Sequence, residues 1–446
     1  MRMPSIRNFR LWLLPTAVAI LAVACLRQGT KREHGMTTVT VGPANADVIG
    51  ADNVAIQKAV DRVAAAGGGI VLIKAGTYTL SNSVRLASHV TLRGEGTDKT
   101  ILKKVAGVKS KLAVDADYGE YKAVVENASS FRTGMGVTVV DKEQRSGWTP
   151  SVRTITRIDG NTLYFDNFLQ MDYHVELNGE VFNTFPLIAG FEVSDVKVED
   201  LTADGNREGS GILDGCQTGA IYFFHSRHMT VRNAVACNYP GDGISLQFVE
   251  DPVVQQCDSY KNAYLGIHLG TGALRGIVEN NRAHGNGQDG LYLCWRVQHA
   301  RYANNRSWSN GRDGISLGHK DSDNLFVNNT STGNGRSGIY FRNENRSNSP
   351  DGNRFEHNTI ADNGLKDKHG ANIYIGGMVH NVTFTENTIG SKSPKSKAAS
   401  VVGIYVGPKT DFITLSDNTF SGPMKQDIVN KSKGTHNQIT VEQASR

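Results

Sequence analysis

The sequence predicts an all-β chain folded as a single-stranded parallel β-helix, with an amino-terminal capping helix and a small β insertion. Three observations carry that prediction. Segments of the second half recur about every two dozen residues. Each carries two apolar positions separated by one residue. A row of asparagines stands eleven residues ahead of the first of them. The 446 residues suffice for a long core. Hydrophobic residues at 39%, charged residues at 20% and a mean hydropathy of −0.34 exclude a polytopic membrane protein and a wholly disordered chain. Gly 48 against Pro 11 signals many tight turns without a Pro-rich linker.

Residues 1–24 read as an export signal. Arg2, Arg7 and Arg10 form a positive start, and Leu11 to Ala24 is an apolar run short for a membrane span. The run ends Leu21-Ala22-Val23-Ala24-Cys25, which resembles a bacterial lipobox with Ala22 in place of the preferred Leu. That resemblance implies a lipid on Cys25. Leu26, rather than Asp, follows, which by the same resemblance permits outer-membrane sorting in a Gram-negative cell. The expected location is an outer-membrane or cell-surface lipoprotein, otherwise a periplasmic or secreted protein. Formal charge is +5, and without the three signal arginines 45 basic residues face 43 acidic ones. Near-neutrality argues against nucleic acid as partner, and a membrane enters only through the lipid anchor.

Residues 37–104 hold the cap and the first coils. Asp52 to Ala66 has apolar residues at helical spacing after an Asp start, and Gly67-Gly68-Gly69 stops it. Ile70–Ile73 follows as a strand. A stacked repeat needs its open end covered, and an amphipathic helix does this. Residues 105–190 break the repeat. Strand-like Gly136–Asp141 and Thr162–Asp166, with Asp159-Gly160-Asn161 as a hairpin turn, predict a β insertion packed on the helix and overhanging one face.

Residues 191–421 form the coils. The first apolar column is Ile221, Ile244, Ile267, Leu291, Ile315, Ile339, Ile373 and Ile404, at steps of 23, 23, 24, 24, 24, 34 and 31. The long steps hold polar insertions near 346–352, 366–370 and 391–399. The second column is Phe223, Leu246, Leu269, Leu293, Leu317, Phe341, Ile375 and Val406. Both should point inward, because one coil cannot bury its apolar side alone. Asn233, Gln256, Asn280, Asn304 and Asn328 suit left-handed turns, and Asn281, Asn305 and Asn329 beside them suit stacked amides. Asp242, Asp289 and Asp313, two residues before their strands, read as Asx turns. Residues 422–446 read as a loose polar tail. Cys216, Cys237, Cys257 and Cys294 allow three complete pairings or none, and their spacing offers no metal framework. No cofactor is expected, and calcium dependence is left open.

The outward column reads Tyr222, Ser245, His268, Tyr292, Ser316, Tyr340, Tyr374 and Tyr405, expected in water. His268, Tyr292, Arg296, Lys320 and Arg342 line one stripe. Such a stripe suits a polysaccharide, above all an acidic one. Guanidinium groups grip carboxylates in two-pronged fashion, and aromatic faces stack on sugar rings. Proton removal at C5 of a uronate needs charge neutralisation, a base and an acid. His268 and Tyr292 are the first acid/base pair; Lys320 is an alternative base and His319 a second choice for proton transfer. Trp295, Arg296, Arg342 and Tyr340 are candidate substrate binders. A hydrolase would use Asp321 with Glu344 or Asp323. Tyrosine ladders also stabilise parallel sheets with no ligand at all, as in a non-catalytic glycan-binding protein.

The run ADNVAIQKAVDRVAAAGGGIVLIKAGTY resembles the start of pectate-lyase-superfamily β-helices. Asp200-Leu201-Thr202-Ala203-Asp204-Gly205-Asn206-Arg207 looks like a coil-opening motif of mannuronan C5-epimerases. The resemblance implies right-handed coils and an exported lyase or epimerase for a uronate-containing polymer. The epimerase catalytic pattern is Tyr-Gly-aromatic-Asp-Pro-His. The best-aligned segment, Asp242-Gly243-Ile244-Ser245-Leu246-Gln247, lacks its Tyr, Asp and His. The polygalacturonase pair of Asp is reduced to Asp242 in Gly241-Asp242-Gly243, and no pectate-lyase calcium cluster is evident.

Overall fold

A computed structural model of the chain describes residues 37–366, 370–391 and 401–440. The export signal and Cys25 lie outside them. The predicted helix spans Asn53–Ala65, and the Asp52 side chain caps it by accepting a hydrogen bond from Ala55 N at 2.8 Å. Its buried face, Ile56, Ala59, Val60 and Val63, closes the end of the core. Gly67 stops it at φ 88°, left-handed backbone that a side chain would strain. The strand Thr37–Gly42 precedes the helix and pairs in parallel with Gly69–Ile73, so the first coil wraps around the cap.

The coils stack in the register that the repeat predicts. Ile244, Ile267, Leu291 and Ile315 face one another across consecutive parallel strands, as do Ile339, Ile373 and Ile404. Both apolar columns are buried. Each such side chain contributes about 1.5–3 kcal/mol of burial. An eleven-stranded parallel sheet forms one side, and a 23-stranded sheet bends around the others. Inside, Tyr302, Phe326, Phe355 and Phe384 stack ring on ring at 4.4–4.8 Å.

The asparagines divide their work. Asn233, Gln256, Asn280, Asn304 and Asn328 adopt φ between 45° and 58°, the left-handed corner. Asn281, Asn305 and Asn329 beside them, followed by Asn358, Asn387 and Asn418, are buried, and each of the first five donates its Nδ2 to the next Oδ1 at 2.9–3.0 Å. A second buried ladder, Asn262, Asn286, Asn310, Asn334 and Asn363, repeats the device at 2.8–3.0 Å.

Four expectations need correction. The insertion is a six-stranded antiparallel sheet with its own core of Leu112, Val137, Val139, Ile155, Leu163 and Val181. It is secured beside the strand Val84–Leu86 rather than on the helix: Gly136 N donates to Ser81 O, and Asn82 Nδ2 to Thr154 Oγ1. The β-helix resumes at Ile188–Phe191, which pairs with Ile221–Phe224. The tail is not loose through residue 440. Gln426–Asn430 pairs with Val402–Val406 and Gln438–Ile439 with Thr414–Leu415, adding another coil. Asp242, Asp289 and Asp313 are not Asx turns. Their Oδ1 atoms accept from Leu265 N, Asp313 N and Ser337 N, each in the next coil. The fourth correction concerns the outward column and bears on the site.

Candidate active site

The outward column is in register as expected, with Ser245, His268 and Tyr292 on successive strands. Yet its first five residues are not in water: Tyr222, Ser245, His268 and Ser316 are buried, and Tyr292 is half-buried. The main cover comes from residues 205–219, which interrupt the repeat between the strands Lys197–Asp204 and Ile221–Phe224. Ser245 Oγ and Gln247 Nε2 donate to Gly215 O at 2.6 and 3.1 Å, and Tyr222 OH donates to Cys216 O at 2.7 Å. Gly215 presses onto the sheet so closely that a Cβ there would stand 1.7 Å from Asp242 Oδ2 and 2.8 Å from His268 Nδ1. Only glycine allows this approach.

Beneath Gly215 lies an acid–histidine pair. Asp242 Oδ2 is 2.8 Å from His268 Nδ1, and both side chains are buried. Nδ1 therefore carries the proton that Asp242 accepts. His268 Nε2 is buried and has no hydrogen-bond partner of normal geometry, and the Cys294 side chain lies beside the ring. Burial opposes the charged imidazole, but the Asp242 hydrogen bond outweighs it, aided by Cys294, and the pKa is raised. Asp214 hangs over the pair from the covering segment, accepting from Gly147 N at 2.7 Å and Cys216 N at 3.1 Å. Burial, with the charge of Asp242 adding to it, raises the Asp214 carboxyl. The Tyr292 ring meets His268 edge-on at 5.1 Å, and the Arg342 guanidinium lies 4.6 Å from its centre. Burial raises the Tyr292 hydroxyl and keeps it protonated. Asp214, Asp242, Tyr264, His268, Tyr292 and Cys294 line a cleft of about 280 Å³. It combines a buried imidazole held by a carboxylate, a carboxyl with raised basicity and a phenol, all parts of proton-transfer chemistry.

The other predicted residues fall elsewhere. Arg342 is committed to Asp321 at 3.0 Å and to Leu293 O at 2.8 Å. Asp321 is fully buried and also accepts from Gly318 N and Val297 N, so it clamps a turn. Asp323 is exposed in a left-handed turn, and Glu344 lies 3.9 Å from His319. Trp295 stacks on His319 at 4.4 Å. Arg296 and Lys320 occupy left-handed strand ends, and among the described residues no hydrogen bond or ion pair links them to His268 or Tyr292. Tyr340, Tyr374 and Tyr405 stack on one another at 4.9 Å, with Arg336 on the free side of Tyr340 at 3.6 Å. Their faces are occupied by each other, so Tyr340 offers a sugar an edge rather than a face. All four described cysteines are free.

Sequence reasoning missed Asp242, Asp214 and Gly215. Asp242 was legible as a partner only through register, one coil before His268. Asp214 and Gly215 lie in a segment outside the repeat, where register has nothing to say.

Comparison with known proteins agrees with this architecture. The family model described as right handed beta helix region matches residues 189–355 and 304–420. The model described as rhamnogalacturonase A/epimerase, pectate lyase-like, matches residues 39–268. Mannuronan C5-epimerase AlgE5 of Azotobacter vinelandii is 26% identical over 256 residues, covering 55% of this chain and 21% of the relative. The match thus spans about a fifth of that relative's length. The AlgE4 A-module from the same organism superposes at TM-score 0.59 and 19% identity, covering 87% of this chain and 96% of that one. PfbA, a surface adhesin of Streptococcus pneumoniae, superposes at 0.50 and 16% identity, covering 86% and 87%. One fold therefore serves an epimerase module and an adhesin, and function has to be argued from the site. By its coil register and these matches, the chain belongs to the right-handed parallel β-helix proteins of the pectate-lyase-like family.

Proposed function

We propose that this chain is an exported, carbohydrate-active enzyme that moves the C5 proton of a uronate-containing polysaccharide, as a lyase or C5-epimerase. The observation that carries the reading is the buried Asp242–His268 pair, 2.8 Å apart, with His268 Nε2 unsatisfied beside Tyr292. An imidazolium held by Asp242 would stabilise the charge that gathers on the uronate carboxylate as the C5 proton leaves. Asp214 is the base of raised strength lining the cleft. Tyr292 is the acid: it returns a proton to C5 in epimerisation, or protonates the departing O4 in elimination. Distant sequence similarity to mannuronan C5-epimerases supports the substrate class.

A second reading has its own observation. Asp214 and Asp242 line one cleft, and the raised Asp214 carboxyl is suited to act as a general acid, as in a glycoside hydrolase. One experiment separates the two. Polymannuronate, polyguluronate and polygalacturonate are incubated with the protein in deuterated water. An epimerase is expected to leave deuterium at C5; a lyase is expected to give ultraviolet absorbance from a new C4=C5 double bond, with no hydrogen left on C5. New reducing ends without either signal would favour hydrolysis. Binding without any turnover across the panel would leave a glycan-binding protein.

A further inference from the structure

The antiparallel insertion builds a second cavity on the same outer face, about 330 Å³ in volume and within the range of ligand pockets. Trp148 reaches from the insertion to the β-helix and packs on Phe224 and Phe248, each 5.5 Å away. Phe191, on the neighbouring coil, lies 5.7 Å from Tyr222. Trp148 is still 39% exposed and Phe191 44%, so aromatic surface faces solvent. The walls are tied in place. Gln170 Nε2 donates to Trp148 O at 2.8 Å, and Arg153 Nε to Phe168 O at 2.8 Å. The exposed cation of the wall is Arg85, whose side chain is 59% exposed, 3.8 Å from Asp166 and 5.9 Å from the centre of the Phe191 ring.

This cavity and the cleft lie on either side of the segment Asp214–Gln217. Gly147, next to Trp148, donates its N–H to Asp214 in the cleft at 2.7 Å. Gln217 lines the new cavity three residues from Asp214, and Tyr222 on its wall holds Cys216 O. We propose that this cavity is an extension subsite that binds further acidic sugars of the polymer held at the cleft. A sugar ring face rests on Trp148, and a carboxylate meets Arg85 beside Phe191. The proposal rests on the acidic-polysaccharide reading above.

Calorimetric titration tests it, using short and long oligomannuronates and oligogalacturonates, with neutral cello-oligosaccharides as control. In the wild-type protein the long acidic oligomers are expected to bind about tenfold more tightly than the short ones. Trp148→Ala and Arg85→Gln should each lose most of that advantage, and the Arg85 contribution should shrink at high salt. Arg85→Gln changes an exposed side chain, so its result does not depend on the core. The subsite is overturned if both variants keep wild-type affinity for long oligomers, or if neutral oligomers bind equally well. A length advantage with neither C5 exchange nor a new double bond would uphold the subsite and remove the proposed chemistry. Failure of every acidic oligomer to bind would remove both.

Discussion

The outward column of the eleven-stranded sheet has two ends built on one register and put to different use. At Ser245, His268 and Tyr292 the column is covered, and a buried nitrogen is left without a partner. At Tyr340, Tyr374 and Tyr405 the rings stack at 4.9 Å and satisfy one another. The backbone pairs in the same parallel fashion at both. The difference is the cover: residues 205–219 and the insertion lie over the first end only. Coil stacking supplies a scaffold, and segments outside the repeat turn part of its surface into a site with low dielectric and unsatisfied polar atoms.

The largest expected effect breaks the covered end. His268→Ala should lower kcat for epimerisation or elimination by about 10²–10⁴-fold, whereas Tyr374→Phe should stay within about twofold. Equal effects at both ends would remove the distinction. Gly215→Ala comes next, because the new methyl would collide with Asp242 and lift the cover. A displacement of about 1 Å costs on the order of 10²-fold in rate. Hydrogen exchange should rise in residues 205–219 and stay unchanged in the rungs at Asp313–Leu317 and Ser337–Phe341.

The interior ladder should respond in stability rather than rate. Asn310→Ala strips a partner from both Asn286 and Asn334, and denaturant unfolding should show a loss of about 1–3 kcal/mol. A pH effect should follow from Asp321. Burial pushes its carboxyl up to about 6 against the pull of Arg342. With the folded value above the unfolded one of about 3.9, its stabilising contribution is complete at low pH and lost as pH rises through about 6. Asp321→Asn should flatten the fall in stability between pH 4 and 7 by on the order of 2 kcal/mol. An unchanged slope would show that the carboxyl titrates normally. The smallest effect is expected from Tyr374→Ala, about 0.5–1.5 kcal/mol in the melting curve.

Much of this was readable in one dimension. A step of 23 or 24 residues between Ile221 and Ile339 determines that strands stack in parallel, because no other arrangement buries both apolar columns at once. The same period placed His268 beside Tyr292 and put Asn281, Asn305 and Asn329 on one another. The capping helix followed from its own apolar spacing and Asp52. Period carries no information about segments that lack it. That Gly215 lies on Asp242, that Trp148 crosses to Phe224, and that Arg342 is spent on Asp321 were decided by how irregular chain folds back onto the coils. Repeated hydrophobic burial is additive along the chain and leaves its mark at every rung. The contacts that make a cleft are single, long-range and polar, and only close packing in three dimensions selects them.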